Sequence, residues 1–203
     1  MTSVIRMADR MRRRFAGLAF DAQLGTSTVE WKRGVPQELE YHPSDLRKIR
    51  MALRALQPGP DDVVIDYGAG LGRAVLAIAR YTPVRRVIGV EYQAEIHERA
   101  VKNIVAARSK LRCQDVRIEH ADARTFEVPD DVTVVYLFNP FLEPTLWEVG
   151  NQVLASLKRV PRPLTVVYNY PPAWSRLWLD LGFDREVLQR HLHFYRWPTT
   201  PAL

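Results

Sequence analysis

The sequence predicts an α/β fold with a doubly wound, mostly parallel sheet of seven strands that ends in an antiparallel hairpin. Three observations lead to this prediction. From Asp61 onward, short β-branched runs alternate with stretches of helical periodicity. A glycine-rich turn follows the first of these runs. Only two residues separate the last two strand-like runs, which is typical of a hairpin.

The spacing of apolar residues places the individual elements. In the stretch 94–108, Ile96, Ala100 and Ile104 recur at helical spacing. The run 132–138 is almost continuously apolar, as expected for a strand that is buried on both faces. The predicted strands are 63–65, 86–91, 116–119, 132–138, 164–168, 183–188 and 191–197, and the predicted helical stretches are 71–80, 94–108, 143–158 and 173–181.

Residues 1–60 show no strand pattern, so we predict a helical N-terminal extension on a domain at 61–203. A helix is predicted at 45–56, with Ser44 as its cap. We expect residues 15–45 to fold as a lid over the ligand site of that domain and to exclude water from it. The extension is not expected to be an independent domain.

The front of the chain is also basic, since residues 1–60 hold 11 Lys and Arg against 6 Asp and Glu. Five arginines crowd one short segment, namely Arg6, Arg10, Arg12, Arg13 and Arg14. Such a segment either attracts phosphate or an acidic surface over a long range or is a solvated helix face. Nucleic acid is therefore a possible but not a favoured partner.

Composition indicates one ordinary globular domain, with 47% hydrophobic and 26% charged residues in 203. No stretch approaches the roughly 18 consecutive apolar residues that span a bilayer, and no membrane partner is expected. The single cysteine, Cys113, can form neither an internal disulfide nor a cysteine zinc site. We therefore expect a cytoplasmic protein without a metal, and His191 and His193 alone make a poor metal site.

Three alternate glycines follow the first predicted strand, in the segment Asp66-Tyr-Gly68-Ala-Gly70-Leu-Gly72-Arg73. Glycines there allow a sharp turn and the close approach of backbone to a ligand. The dinucleotide fingerprint requires a further glycine at the position that Arg73 occupies, so this is a different motif. An acid within the loop would repel a pyrophosphate but suits a cationic ligand that carries an amino group.

Further candidate residues stand at the ends of the next three strands. The carboxyl ends of parallel strands share one edge of a sheet, so these residues and the glycine loop describe one site. Glu91 lies 19 residues past Gly72 and can accept hydrogen bonds from both hydroxyls of a ribose. The residues that we expect at this edge are Glu91, Tyr92, Asp122, Ala123, Asn139, Pro140 and Phe141.

This combination resembles the class I methyltransferases, a Rossmann-like family that binds S-adenosyl-L-methionine and whose last strand is antiparallel. The segments that resemble small bacterial members are Phe20-Asp21, Gly25-Thr26, Tyr41-His-Pro43-Ser44, 66–73, 87–91 and 136–141. One departure is Tyr67, where the family more often has Leu. The resemblance implies that Asp122 faces the adenine amino group. We expect Tyr41, within the predicted lid, to lie near the amino-acid end of the cofactor, because a methyl donor must be shielded from water. The implied cofactor-binding set is Tyr41, Asp66, Gly68, Gly70, Gly72, Glu91, Tyr92, Asp122, Ala123 and Asn139.

Asn139-Pro140-Phe141 resembles the Asn/Asp-Pro-Pro-Tyr/Phe motif of amino-methylating enzymes, with one proline missing. The resemblance implies that Asn139 and a backbone carbonyl accept the hydrogens of an amine, while the ring faces the charge that develops on nitrogen. These three residues are the catalytic candidates. The alternative is a strand-ending turn with Phe141 in the core.

Asn169-Tyr-Pro-Pro172 is a second candidate wall for the acceptor, together with Trp174 and Trp178. Two tryptophans four residues apart share a helix face, and burial in the core is the competing interpretation. Arg73 either reaches an anionic substrate or lies on the helix surface.

The leading hypothesis is a methyltransferase (EC 2.1.1.-) that acts on an amino nitrogen of a protein or a small molecule. An aminopropyl transferase of the polyamine-synthase type is one alternative, although Asn139 and Phe141 do not supply the acids that a dicationic amine requires. A catalytically silent module of the same fold that binds nucleic acid is another.

Overall fold

The computed structural model describes residues 2–28, 43–138, 140–141, 143–172 and 175–198, without the side chains of residues 2–6 and 10. Within these ranges the helices are α1 (Thr2–Leu24), α2 (Leu46–Leu56), α3 (Arg73–Tyr81), α4 (Ala94–Ala107), α5 (Glu143–Arg159) and α6 (Leu177–Asp180). The strands are β1 (Val63–Tyr67), β2 (Arg86–Glu91), β3 (Asp115–His120), β4 (Val134–Phe138), β5 (Thr165–Asn169), β6 (Asp184–Gln189) and β7 (Leu192–Arg196). None of the described helices is both long enough and apolar enough to cross a bilayer.

The seven strands form one sheet in the order β3-β2-β1-β4-β5-β7-β6. The first five strands of that order are parallel, whereas β7 runs antiparallel to both β5 and β6. The predicted doubly wound sheet with a C-terminal hairpin is therefore confirmed. The strands β2 and β3 lie on one side of β1, and β4 lies on its other side. This reversal of strand order creates the crevice in which ligands bind in such sheets.

Two hydrophobic clusters cover the two faces of the sheet, and the alternation of side chains along β1 shows the division. Val64 packs on the face covered by α1 to α4. Val63, Ile65 and Tyr67 pack on the opposite face, against α5 and α6. Asp66 therefore points into the α1 to α4 face, where burial of a carboxylate costs free energy unless a ligand or partner compensates.

The cap of α2 is Asp45 and not Ser44, which corrects the sequence prediction. The Asp45 carboxylate accepts a hydrogen bond from the Arg47 backbone N–H at 2.9 Å. Asp and Ser are similarly favoured at this position, so adjacent candidates could not be ranked from residue type. Asp45 also makes a tertiary contact that Ser44 could not make as an ion pair, because its carboxylate lies 3.4 Å from Arg13 Nε of α1.

The predicted helical stretch 173–181 is also shorter in the structure, where α6 begins at Leu177. Residues 173–174, including Trp174, lie outside the described residues. Trp178 is buried in the second cluster, as the core interpretation of the tryptophans expected. Gly182, with a φ of 95°, follows α6 and turns the chain into β6.

Candidate functional site

A cleft of about 760 Å³ opens at the carboxyl ends of the central strands. Its volume falls in the range of small-molecule sites in proteins. Among the residues that line it are Asp66, Gly68, Gly70, Glu91, Tyr92, Asp122, Ala123, Pro140 and Phe141. The structure thus brings together most of the residues that the sequence placed at this edge. Tyr41 and Asn139 lie outside the described residues.

The glycine loop forms the floor of the cleft beside β1. Gly68, Gly70 and Gly72 have φ values of 70°, 55° and 85°, a backbone conformation that side chains with a Cβ rarely adopt. At Gly68 a Cβ would also lie 2.9 Å from the Cβ of Pro140. The loop after β4 therefore packs directly on the glycine loop, and a larger residue at 68 would separate the two.

Glu91 ends β2 with both carboxylate oxygens fixed by backbone donors. Oε2 accepts from the Gly70 N–H at 2.9 Å, and Oε1 accepts from the Gln93 N–H at 2.9 Å. Each carboxylate oxygen can accept more than one hydrogen bond, so this arrangement leaves acceptor capacity toward the cleft. Glu91 is thus held in place with oxygens that can accept hydrogen bonds from two adjacent hydroxyl groups.

Asp66 is 3% exposed and lies on β1 directly before the glycine loop. Burial, and secondarily the charge of Glu91, raise the pKa of the Asp66 carboxyl well above its ordinary value of 3.8. A cationic group in the cleft would offset both effects, because it favours the charged carboxylate. The pair of acids therefore gives this end of the cleft a preference for a cation.

Asp122 and Ala123 follow β3 at the far end of the cleft. Arg124 donates to both Asp122 carboxylate oxygens, at 3.0 and 2.9 Å from Nε. This side-chain bond and that of the Arg124 backbone N–H lower the pKa of Asp122. Tyr92 is 68% exposed at the rim, where its ring is open to a planar group.

Aromatic side chains border the cleft at the ends of β4 and β5. The rings of Phe138 and Tyr170 meet edge to face at 5.5 Å, and the Tyr170 ring tilts onto that of His191 at 5.3 Å. Tyr170 has a φ of 57°, and its N–H donates to the His191 carbonyl at 2.7 Å. A positive φ at a bulky residue is strained and is found often at functional sites.

His191 is itself in contact with α2, since Lys48 Nζ lies 2.6 Å from His191 Nε2. Burial and the Lys48 charge lower the pKa of His191, and burial lowers the pKa of Lys48. A neutral imidazole nitrogen accepts the ammonium hydrogen. Tyr170, His191 and Lys48 thus connect the aromatic border of the cleft to the N-terminal part of the chain.

Arg73 does not lie on the helix surface, which contradicts one of the two roles considered for it. It lines the cleft, so a contact with an anionic substrate stays a prediction. It is 5% exposed, and it donates to Thr28 Oγ1 at 2.9 Å and to the Ser44 carbonyl at 3.2 Å. Thr28 in turn bonds through its N–H and hydroxyl to the buried carboxylate of Asp21. Arg73 is the first residue of α3, so it ties the N-terminal extension to the glycine loop.

Phe141 packs against the second cluster, as the core interpretation expected, and it also lines the cleft. Its catalytic role toward an acceptor stays a prediction. Sequence reasoning missed Ser44 and Thr145 as lining residues. Thr145 lies in the first turn of α5, two residues beyond its start, and a polar residue just after a strand-end motif was a signal that could have identified it. Cys113 is buried, and burial raises the pKa of its thiol.

Comparison with known proteins agrees with this geometry. A family model described as a methyltransferase domain matches residues 64–164. Ribosomal RNA small subunit methyltransferase A of Thermobifida fusca is 36% identical over 110 residues, which are 54% of this chain and 35% of that protein. The protein-lysine N-methyltransferase of Saccharolobus islandicus is 30% identical over 112 residues, which are 52% of this chain and 66% of that protein.

A third relative, the 23S rRNA (uracil(1939)-C(5))-methyltransferase RlmD of Pseudomonas aeruginosa, is 38% identical over 94 residues, or 42% of this chain and 20% of that protein. The chain thus spans about a third of the first relative and a fifth of this one. An RNA methyltransferase from Salinibacter ruber, crystallised with S-adenosyl-L-homocysteine, shares the fold with a TM-score of 0.56 and 22% identity, covering 80% of this chain and 96% of that one. The human methyltransferase 10 domain containing protein has a TM-score of 0.58 and 13% identity, covering 93% and 96%.

Proposed function

Because this chain carries a methyltransferase domain and belongs to the class I methyltransferases, we propose that it transfers a methyl group from S-adenosyl-L-methionine to an amino nitrogen of a protein or small molecule. The single observation that carries the proposal is the cleft in which the glycine loop, Glu91 and Asp66 meet the Pro140-Phe141 segment. A donor site and a candidate acceptor site are thereby in contact.

The residues of the cleft fit the donor. Glu91 has acceptor capacity for the ribose hydroxyls, and the buried Asp66 suits the positively charged amino-acid part. Positive φ values in the glycine loop let backbone approach the ligand closely. When bound, S-adenosyl-L-methionine supplies an activated methyl group on a sulfonium. The chain's part is then to hold donor and acceptor in line and to exclude water.

An amine acceptor fits the aromatic border of the cleft. Phe138, Phe141 and Tyr170 all line it, and an aromatic face stabilises the positive charge that develops on a nitrogen receiving a methyl group. We assign to Asn139 the alignment of the amine through its side-chain oxygen. The lysine N-methyltransferase among the relatives supports a nitrogen acceptor.

An RNA acceptor is the second candidate, because two of the relatives act on ribosomal RNA and the first 60 residues are basic. An aminopropyl transferase is less well supported, since the described residues beyond β4 that line the cleft are Pro140, Phe141, Thr145 and Tyr170, none of which is an acid. The buried, unpaired Cys113 fits a reducing compartment, so we place the reaction in the cytoplasm.

The experiment is a survey of cell extract with tritiated methyl donor, in which labelled protein, RNA and metabolites are separated. Label in protein or small amines, stable to mild base, is the expected result. If the wild type labels RNA and Asn139→Ala does not, the proposed acceptor would be a nucleobase instead of an amine of a protein or small molecule. The matched control is Asn151→Ala, at an exposed position of α5, and this variant should transfer label as the wild type does.

A further inference from the structure

Helix α1 has an apolar face that points to solvent. Met7, Met11, Phe15 and Leu18 are 66%, 50%, 65% and 46% exposed. Their spacing of four, four and three residues places them within an arc of about 80° on the helix. The opposite side of α1 packs into the core through Phe20 and Leu24. The exposed stripe is thus a second apolar face that folding does not use.

The polar residues around this stripe are cationic. Arg14 borders it on one side and Arg12 on the other, and both are exposed. Within the part of the chain that the structure describes, neither arginine has an acidic partner. The two acids of α1 are engaged elsewhere: Asp9 pairs with Arg13 and Arg47, and Asp21 accepts from Thr26 and Thr28.

We propose that this face of α1 docks the protein onto an anionic lipid surface, with the stripe in the headgroup region and the arginines on lipid phosphates. A helix with an apolar face and arginines on its polar edges lies in the plane of a bilayer in this way. A helix that spans a membrane needs a long apolar segment, whereas a helix that lies on the membrane surface needs only an apolar face. A search of the sequence for long apolar runs therefore does not detect a surface helix.

Charge and shape favour this occupant over the others. Two copies packed stripe to stripe would bring arginines against arginines with no acid between them. Nucleic acid would satisfy the arginines but would leave the four apolar side chains against phosphate or water. A groove that receives a helix encloses much of its circumference, whereas the opposite side of α1 already contacts its own domain, through Phe20 and Leu24 and through the ion pair of Asp9 with Arg47. An anionic lipid surface is flat and has both negative charge and an apolar layer, so it fits this face better than these three alternatives.

The test is sedimentation of the full chain with vesicles of phosphatidylcholine alone or mixed in equal parts with phosphatidylglycerol. We expect binding to the mixed vesicles that weakens with salt, and little binding to phosphatidylcholine. Met11→Gln combined with Phe15→Gln should weaken binding by about tenfold or more. Arg12→Gln combined with Arg14→Gln should weaken it and reduce its dependence on salt.

The matched control is Val187→Gln combined with Leu188→Gln, which removes two exposed apolar side chains from β6 and should leave vesicle binding unchanged. Circular dichroism and thermal unfolding check the fold of each variant. Vesicle binding that is absent, or equal in the Met11 and Phe15 variant, overturns the proposal. Self-association or RNA binding that depends on Phe15, without vesicle binding, assigns the face to those partners instead.

Discussion

Asp66 is the residue at which the requirements of folding and of binding conflict. Its carboxyl lies in a buried position next to a second acid, which costs stability when no ligand is present. A cation in the cleft removes part of this cost. Sites that are built for a charged ligand commonly show this opposition between stability and function.

Replacing Asp66 by Asn should therefore stabilise the ligand-free protein and weaken its binding of the donor. The folded-state pKa of Asp66 is raised above 3.8, so the folded protein retains a proton that the unfolded chain loses. The wild type should then lose stability relative to Asp66→Asn as pH rises from below 3.8 through the raised pKa. At neutral pH we expect a gain of about 1 kcal/mol, or roughly 2–4 °C in Tm. Scanning calorimetry over pH measures it, and a destabilised Asp66→Asn variant contradicts the assignment.

Asn139 is assigned to the rate of transfer rather than to the binding of the donor. Asn139→Ala should leave donor affinity within a few-fold and lower the maximal rate by about a hundredfold, because alignment matters most in the transition state. Phe141→Leu should cost about 0.5–2 kcal/mol of barrier if the ring faces a developing ammonium. Single-turnover kinetics separate these effects from binding. Normal turnover in Asn139→Ala would favour an oxygen or carbon acceptor.

At the scale of elements, the N-terminal extension is held to the site by Arg73, which bonds both Thr28 and Ser44. These two residues flank the stretch in which Tyr41 was predicted to approach the donor. The prediction that residues 15–45 form a lid stays a prediction, and we propose that Arg73 positions the two residues that flank its segment 29–43. Deleting the extension would be a poor test, because Phe20 and Leu24 belong to the core.

Arg73→Met is the sharper variant. It keeps most of the side-chain volume and removes the donors to Thr28 and Ser44, so we expect a loss of about 1–3 kcal/mol of stability. Binding of S-adenosyl-L-homocysteine should weaken by roughly tenfold, as 1.4 kcal/mol corresponds to a factor of ten. Arg54→Met on the exposed part of α2 is the control. Unchanged affinity and stability in Arg73→Met would show that the extension does not depend on this contact.

The contact between Lys48 and His191 gives a second test at this scale. Burial and the neighbouring Lys48 charge hold the pKa of His191 below 6.5. In Lys48→Met the pKa of His191 should rise, because the repulsion of the protonated imidazole disappears. NMR titration of the His191 ring measures the change, and His97 on α4 serves as the internal reference. A His191 pKa that does not move means that the two side chains are apart in solution.

The elements themselves could be predicted from the sequence wherever local pattern decides the structure. The continuous apolar run of β4 and the helical spacing in α4 are examples, because burial imposes a period on each. The prediction was wrong at the cap of α2, where Asp45 also contacts Arg13 of α1, and at the start of α6. The surface role considered for Arg73 was wrong because its partners, Thr28 and Ser44, are distant in sequence.

At the scale of the whole molecule, the strand order brings the ends of β1, β2 and β4 to one crevice. The sequence sufficed for this part of the site, because parallel strands place their carboxyl ends together whatever the details of the helices. The aromatic border could not be predicted fully, because Tyr170 and His191 meet only through the antiparallel pairing of β5 and β7.

Calorimetric titration with S-adenosyl-L-homocysteine tests the central claim most directly. We expect one binding site per chain in the wild type. In Glu91→Ala we expect a loss of about 1.5–3 kcal/mol, or roughly ten- to a hundredfold in affinity, because a charge-assisted pair of hydrogen bonds is removed. Glu95→Ala, on the first turn of α4, should bind normally. Absence of binding in a folded wild type, or full affinity in Glu91→Ala, would contradict the claim that this cleft holds the methyl donor.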